Sequence, residues 1–184
     1  QPNASAICLS SQIACLPPSL AGIKSLNRLD NVLASGELQQ IKAEPLAAKL
    51  AVTLGEGLLR DMSGQWVEGT MSNVFYQLAD QPISESKQSS HSHESDKSSL
   101  AKGHYLTSGQ WYTPSMAQSG VAGVMRQVII DALSTTQYPV MVRSLSDEDL
   151  PRVTQLFFCN ALRGIMPMTS LTLLSGDFVD FESV

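Results

Sequence analysis

The stretch between Gly57 and Leu78 constrains this chain most, because it reads as strands that must pair with one another. Runs at 57–60 and 65–67 flank Asp61-Met62-Ser63-Gly64. A short Asp/Ser/Gly turn between two strand-forming runs predicts a hairpin. Residues 73–78, Asn-Val-Phe-Tyr-Gln-Leu, add a further strand. Runs at 6–9, 104–107, 110–112, 139–142, 156–159 and 165–174 also read as strands, with Ser108-Gly109 as the turn between two of them.

Helical spacing appears in three places. Leu26, Leu29 and Leu33 fall at i, i+3 and i+7 with Val32 beside them, which predicts a helix over about 26–40, weakened by Gly36. Val124, Val128, Ile129 and Leu133 can share one face of a helix over 121–133, with Ser119-Gly120 at its capping position. Ser146-Asp147-Glu148-Asp149 resembles a capping box with Asp in place of Glu, and predicts a third helix. Residues 80–102 differ: they are Ser-rich, mixed in charge and nearly free of large apolar side chains. Such a segment cannot bury enough to offset its ordering entropy and reads as a mobile surface loop. The 184 residues suffice for one domain with its own core. The sum is an α+β fold, mostly antiparallel sheet with flanking helices.

Charge and cysteine usage narrow the partners. A net charge of −5 gives no basic field, so neither nucleic acid nor an anionic membrane is expected. No apolar run approaches the ~20 residues needed to span a bilayer. Cys8, Cys15 and Cys159 form an odd set without a framework spacing, which points to a reducing, cytoplasmic setting. No basic region followed by an apolar one opens the chain, so no signal peptide is expected. The chain begins at Gln1, and its first segment reads like the interior of a longer protein.

Four segments could carry chemistry. In Leu20-Ala21-Gly22-Ile23-Lys24-Ser25-Leu26-Asn27-Arg28, the lysine follows small and apolar residues. A lysine in an apolar setting loses ammonium solvation and becomes nucleophilic, as a Schiff-base lysine must be. The same residues also read as a surface lysine at a helix start. In Trp66-Val67-Glu68-Gly69-Thr70-Met71-Ser72-Asn73, a carboxylate on a strand could hold a ring nitrogen protonated, with Ser72 and Asn73 lining a site. A strand end with one exposed Glu is the plainer alternative. Gly120 and Gly123, ahead of Val124 and Met125, would let backbone N–H groups approach an anion at a helix start. Cys159-Asn160-Ala161 could add N–H groups to the same anion, or be a simple strand end. His91-Ser92-His93-Glu94 falls short of the about four ligands of a closed zinc site, so no metal is expected.

Order and spacing add what single segments lack. LAGIKSLNRLDNVL, WVEGTMSNVFY, YTPSMAQSGVAGVMRQ and LFFCNALRGIMPM, spread over 20–168, resemble the successive signature segments of the class IV aminotransferase family, and most closely its aminodeoxychorismate lyase branch. The resemblance implies the fold-type-IV (D-amino acid aminotransferase-like) architecture. That is two α+β domains with pyridoxal 5'-phosphate (PLP) in the cleft between them, commonly in a homodimer. This chain, 1–184, would be the C-terminal PLP-binding domain, with 80–102 as a loop insertion and the family's N-terminal domain absent. The resemblance further implies that Lys24 links to PLP, that Glu68 pairs with its pyridine nitrogen, and that Ser72 and Asn73 line the site. The phosphate would be held by N–H groups of Val124 and Met125 and by the Asn160-Ala161 turn. Many relatives offer a hydroxyl where Met125 and Ala161 stand.

The implied reaction is cleavage of the small molecule 4-amino-4-deoxychorismate to 4-aminobenzoate and pyruvate, toward folate, with Lys24 as the base. Aminotransferase branches carry a tyrosine shortly after the lysine, whereas this chain reads Asn27-Arg28-Leu29. Two alternatives stand: a class IV aminotransferase acting on D- or branched-chain amino acids, and a non-catalytic remnant serving as a dimerisation module. In a fragment, little or no lyase activity is expected.

Overall fold

Asp61 closes the hairpin that the sequence predicts. Its Oδ1 accepts the N–H groups of Ser63 (2.9 Å) and Gln65 (3.2 Å), and Gly64 takes the φ of +89° that the reversal requires. The hairpin belongs to a computed structural model that describes residues 4–44, 53–79 and 109–181. In chain order these form β1 (Ala4–Ile13), α1 (Leu29–Ala43), β2 (Thr53–Asp61), β3 (Trp66–Gly69), β4 (Asn73–Leu78) and β5 (Tyr112–Thr113). Then come α2 (Val124–Leu133), β6 (Met141–Val142), a 3-10 turn (Leu150–Arg152), β7 (Val153–Asn160), β8 (Gly164–Met168), β9 (Ser170–Thr172) and β10 (Phe178–Asp180).

The strands form one mixed sheet that turns back on itself. β2–β3, β3–β4, β4–β5, β4–β7, β7–β8 and β9–β10 are antiparallel; β1–β2, β1–β9 and β5–β6 are parallel. From β1 the order runs through β2, β3, β4 and β7 to β8, and the next residues of the chain, β9, pair with β1. The bend between β8 and β9 falls at Thr169, whose N–H donates to the Ala4 carbonyl (2.8 Å). The parallel β1–β2 pair requires a crossover, and α1 supplies it.

Period-two alternation sorts the strand side chains. Ala6, Leu58, Trp66, Val74, Leu156, Phe158 and Leu171 gather into one core, to which β1, β2, β3, β4, β7, β8 and β9 all contribute buried residues. Their chain neighbours Leu59 and Val67 pack with Leu9 and Ile13 against Ala34 and Leu38 of α1. Phe75 and Cys159 pack against Ile129 of α2, with Phe157 stacked on Phe75 at 4.8 Å.

Several boundaries depart from the sequence reading. The strand at 6–9 extends to the whole of β1. The helix expected over 26–40 begins at Leu29 and runs to Ala43, and its buried face is Ala34 and Leu38. Leu26, Leu29, Val32 and Leu33 are exposed, because the sheet meets α1 on the face that carries Ala34, Leu38 and Ile41. The second helix starts at Val124 rather than 121, since Gly123 is its N-cap and Val121 pairs with Gly22 instead. Val124 and Val128 are exposed, while Ile129 is buried. No third helix forms at 146–149: the Asp149 carboxylate does accept the Ser146 N–H and hydroxyl (both 3.2 Å) as well as Arg143 (2.9 and 3.0 Å), but Pro151 limits Leu150–Arg152 to one 3-10 turn. The single strand expected over 165–174 is two, because its halves serve different neighbours. The segment 80–102, the strand expected at 104–107 and the motif of His91, His93 and Glu94 lie outside the described residues.

Candidate active site

Glu68 sits near the end of β3 and is 3% exposed. A buried carboxylate demands partners, and it has three. Arg28 Nη2 donates to Oε1 at 2.7 Å, Asn31 Nδ2 donates to the same oxygen at 3.3 Å, and the N–H of Val121 donates to Oε2 at 2.8 Å. Arg28 is the N-cap residue of α1, and Asn31 lies three residues on, where side chains share a helix face. Arg28 Nε also donates to Asn31 Oδ1 (2.7 Å), so the two reach Glu68 as a unit. Burial pushes the Glu68 carboxyl pKa above its ordinary value, and the Val121 N–H, Arg28 and Asn31 pull it back only in part.

Val121 joins the rest of the site to Glu68. Its carbonyl accepts Asn73 Nδ2 (2.7 Å), and its backbone pairs with Gly22, where Ala122 N–H donates to the Gly22 carbonyl (2.9 Å). Gly22 has φ +77° and Gly120 has the same value, so both turns suit glycine. Lys24 therefore lies between two anchors. Gly22, two residues before it, leads through Val121 to Glu68, and Arg28, four residues after it, binds Glu68 directly. Lys24 itself is exposed, as are Ile23 and Leu26. The apolar setting read around this lysine is thus not formed among the described residues, because its segment lies outside the sheet rather than under it.

The helix start at α2 is shaped for an acceptor. Its N-cap, Gly123, offers no side-chain hydrogen bond, and a Cβ there would collide with Asn73 Oδ1. The first N–H groups of a helix have no intrahelical partner, which leaves those of Val124 and Met125 as donors. Arg126 is buried just beyond, donating to Thr113 Oγ1 (3.2 Å) and the Pro114 carbonyl (2.8 Å). Asn160 and Ala161 form a turn in which Asn160 Oδ1 accepts the N–H groups of Leu162 (3.0 Å) and Arg163 (2.7 Å). Asn160 Nδ2 donates to the Met71 carbonyl (3.2 Å), which ties this turn to the one after Glu68. Ser72 is committed elsewhere: its hydroxyl donates to the buried Glu56 (2.8 Å), which also accepts Thr70 Oγ1 and the Thr70 N–H (3.2 Å).

Residues 1–171 match the family described as amino-transferase class IV. The chain belongs to the class IV aminotransferase family. An aminodeoxychorismate lyase from Vibrio harveyi is 27% identical over 157 residues, which is 85% of this chain and 43% of that protein. The solved 4-amino-4-deoxychorismate lyase of Pseudomonas aeruginosa aligns with a TM-score of 0.65 and 26% identity, covering 92% of this chain and 47% of that one. A branched-chain amino acid aminotransferase of Escherichia coli shares the fold at a TM-score of 0.54 and 17% identity, over 92% of this chain and 44% of that one. The chain spans about half the length of these relatives. The α+β, fold-type-IV expectation holds, and class IV enzymes are PLP-dependent; one branched-chain relative of the same fold is solved with pyridoxamine 5'-phosphate.

The residues present fit such a cofactor. An ionised carboxylate offers about four acceptor sites, and the three donors on Glu68 leave Oε2 with one to spare. The uncapped start of α2 suits a phosphate. Among the residues named from sequence, the structure joins Asn73 to Glu68 through Val121, and Asn73 also shapes Gly123 at the head of α2. Ser72 instead braces the turn. Sequence reasoning missed Arg28 and Asn31 as partners of Glu68, and it missed Glu56. The Arg28 to Asn31 spacing at a helix start was the available signal. Nothing local marks Glu56 as a brace of the turn after Glu68, because Thr70 and Ser72 lie 14 to 16 residues away. No helix among the described residues is long and apolar enough to cross a membrane.

Proposed function

We propose that this chain is the lysine-bearing, C-terminal half of an aminodeoxychorismate lyase, which cleaves 4-amino-4-deoxychorismate to 4-aminobenzoate and pyruvate. The observation that carries the proposal is the bracketing of Lys24 by two anchors, Gly22 and Arg28, that both lead to one buried carboxylate. The lyase names of the relatives from Vibrio harveyi and Pseudomonas aeruginosa support it. So does Arg28, which stands in the lyase-like Asn27-Arg28-Leu29 segment and spends its charge on Glu68.

PLP supplies an electron sink when bound. Lys24 would hold it covalently and Glu68 would pair with its ring nitrogen. The N–H groups of Val124 and Met125, with the Asn160-Ala161 turn, would hold its phosphate. Once the substrate's amine had displaced it from that link, the freed Lys24 Nζ would be the base that removes the proton from the ring carbon bearing the substrate's amino group, and it would return a proton to the departing enolpyruvyl fragment. Arg28 and Asn31 fix the carboxylate of Glu68 so that its free acceptor site keeps one direction. The missing half of the relatives' length would supply the rest of the substrate pocket, and the complete enzyme would be a homodimer.

The test is the visible spectrum of the protein with PLP, followed by borohydride reduction and peptide mapping. The expected result is a long-wavelength band that Lys24→Ala abolishes, with the reduced cofactor on the Lys24 peptide. A band that survives Lys24→Ala sinks the assignment of the lysine. Product analysis separates the lyase from a class IV aminotransferase: 4-aminobenzoate with pyruvate against a keto acid with a new amino acid. Absence of any PLP band would leave the non-catalytic, dimerising remnant.

A further inference from the structure

Asp61 does two unrelated things with its two oxygens. Oδ1 closes the β2–β3 turn, accepting Ser63 N–H (2.9 Å), Ser63 Oγ (2.6 Å) and Gln65 N–H (3.2 Å). Those bonds already satisfy the hairpin. Oδ2 accepts the hydroxyl of Ser119 at 2.7 Å, from 58 residues away in the sequence. Asp61 is 2% exposed and Ser119 is 1% exposed, so this is a charge-assisted bond shielded from water. Burial alone would raise the Asp61 carboxyl pKa, but the bonds from Ser63, Ser119 and Gln65 more than offset it and hold it below the ordinary carboxylate value.

Ser119 opens the loop that organises the candidate site. Gly120 follows it with φ +77°, in a space where a Cβ would lie 2.9 Å from Glu68 Oε2 and 3.0 Å from both Met116 Sδ and Val67 Cγ1. Val121 then gives its N–H to Glu68 and its carbonyl to Asn73, and pairs with Gly22 ahead of Lys24. On the Ser119 side the loop borders a pocket of about 260 Å³, lined in part by Gln65, Gln118 and Ser144. On that flank, besides the Asp61 bond, Leu16 N–H donates to the Gln118 carbonyl (2.7 Å).

We infer that Asp61 and Ser119 are positioning residues of the Lys24–Glu68 site: their hydrogen bond sets the 119–122 loop, from which the amide donor of Glu68 and the Lys24 segment both hang. The inference rests on the reading of that site as a PLP site. Neither residue is among those that would hold the cofactor; each acts through Val121.

Ser119→Ala removes the bond while leaving every turn contact on Asp61 Oδ1 in place. A hydrogen bond to a charged group is strong enough to shift an equilibrium about tenfold. In the chain without PLP, amide exchange at Val121 is expected to quicken about tenfold, with Ser63 and Gln65 amides unchanged. With PLP, the visible band is expected to change shape and affinity to fall, again about tenfold. Asp61→Asn keeps an oxygen for the turn but loses the charge and can still offer its amide N–H to the Ser119 hydroxyl, so it should show both effects in weaker form. The double variant should go no further than Ser119→Ala. Should Ser119→Ala fail to fold, the Asp61→Asn readouts decide alone. Val121 exchange and a PLP band both matching the parent would overturn the inference. If the parent binds no PLP, the proposed function fails, while amide exchange at Val121 still decides whether Asp61 and Ser119 set the loop.

Discussion

Arg28 Nη2 lies 2.7 Å from Glu68 Oε1, joining the N-cap residue of a helix to a buried strand carboxylate 40 residues on. The guanidinium is partly open to solvent, with the Arg28 side chain 22% exposed against 4% for Glu68. The loss on breaking the pair therefore falls on the acid. Arg28→Ala leaves Glu68 with Asn31 and the Val121 N–H as its remaining donors. The expected loss is about 1–3 kcal/mol at neutral pH, read from urea unfolding. Glu68→Gln in the same background should recover part of it, because the uncompensated charge goes.

The Glu56 carboxylate holds the turn after Glu68 by accepting Thr70 N–H, Thr70 Oγ1, Ser72 Oγ and its neighbour Gly57 N–H (3.0 Å). Glu56→Ala strands these buried donors together. It is expected to cost about 3 kcal/mol or more in chemical unfolding. Glu56→Gln retains one acceptor oxygen and should cost less. A loss below about 1 kcal/mol for Glu56→Ala would mean that water replaces the carboxylate there.

Gly120→Ala combines a positive φ with a Cβ that meets Glu68, Met116 and Val67. Strain and overpacking together are expected to cost about 2–4 kcal/mol. Gly64→Ala is the control: it also has a positive φ, of +89°, but nothing lies within 4 Å of its added Cβ. Its loss should be smaller, about 1 kcal/mol, in the same thermal or urea series.

Glu68 and Asp61 should oppose one another in their dependence on pH. Glu68 has a raised folded pKa. Its contribution is thus full below about pH 4.3, the unfolded value, and is lost as pH rises through the folded value. Asp61 has a lowered folded pKa. Its contribution is full above about pH 3.9 and is lost as pH falls through the folded value. Glu68→Gln should therefore gain on the parent protein as pH rises above about 4.3, and Asp61→Asn should lose ground on it as pH rises toward about 3.9. Urea midpoints across that range check both signs.

Legibility of the fold followed the range of the forces involved. The β2–β3 hairpin and β4 were readable because turn chemistry and period-two alternation act over a few residues. The face of α1 was not, and that of α2 only in part. Spacing nominated Leu29 and Leu33 on α1, yet the sheet packs on Ala34 and Leu38; on α2 it nominated Val124, Val128, Ile129 and Leu133, of which Ile129 is buried and Leu133 packs beside it while the two valines are exposed. Which helix face is buried depends on what the helix meets, and that partner is distant in sequence. The split of 165–174 into β8 and β9 has the same origin, since a strand serving two neighbours looks locally like one serving a single neighbour.

The candidate site divides along the same line. By itself the sequence determined the residue types: a lysine ahead of a helix, a carboxylate at a strand end, glycines before a helix, and the order of segments that carries the family resemblance. Tertiary structure decided the connections among them. Only folding brings Arg28, Asn31 and the Val121 N–H onto Glu68, ties Ser72 to Glu56, and hangs the Lys24 segment from a loop that Asp61 holds through Ser119. The physical reason is that a buried carboxylate must collect donors from wherever the backbone passes, and the closed path of the sheet sets where it passes.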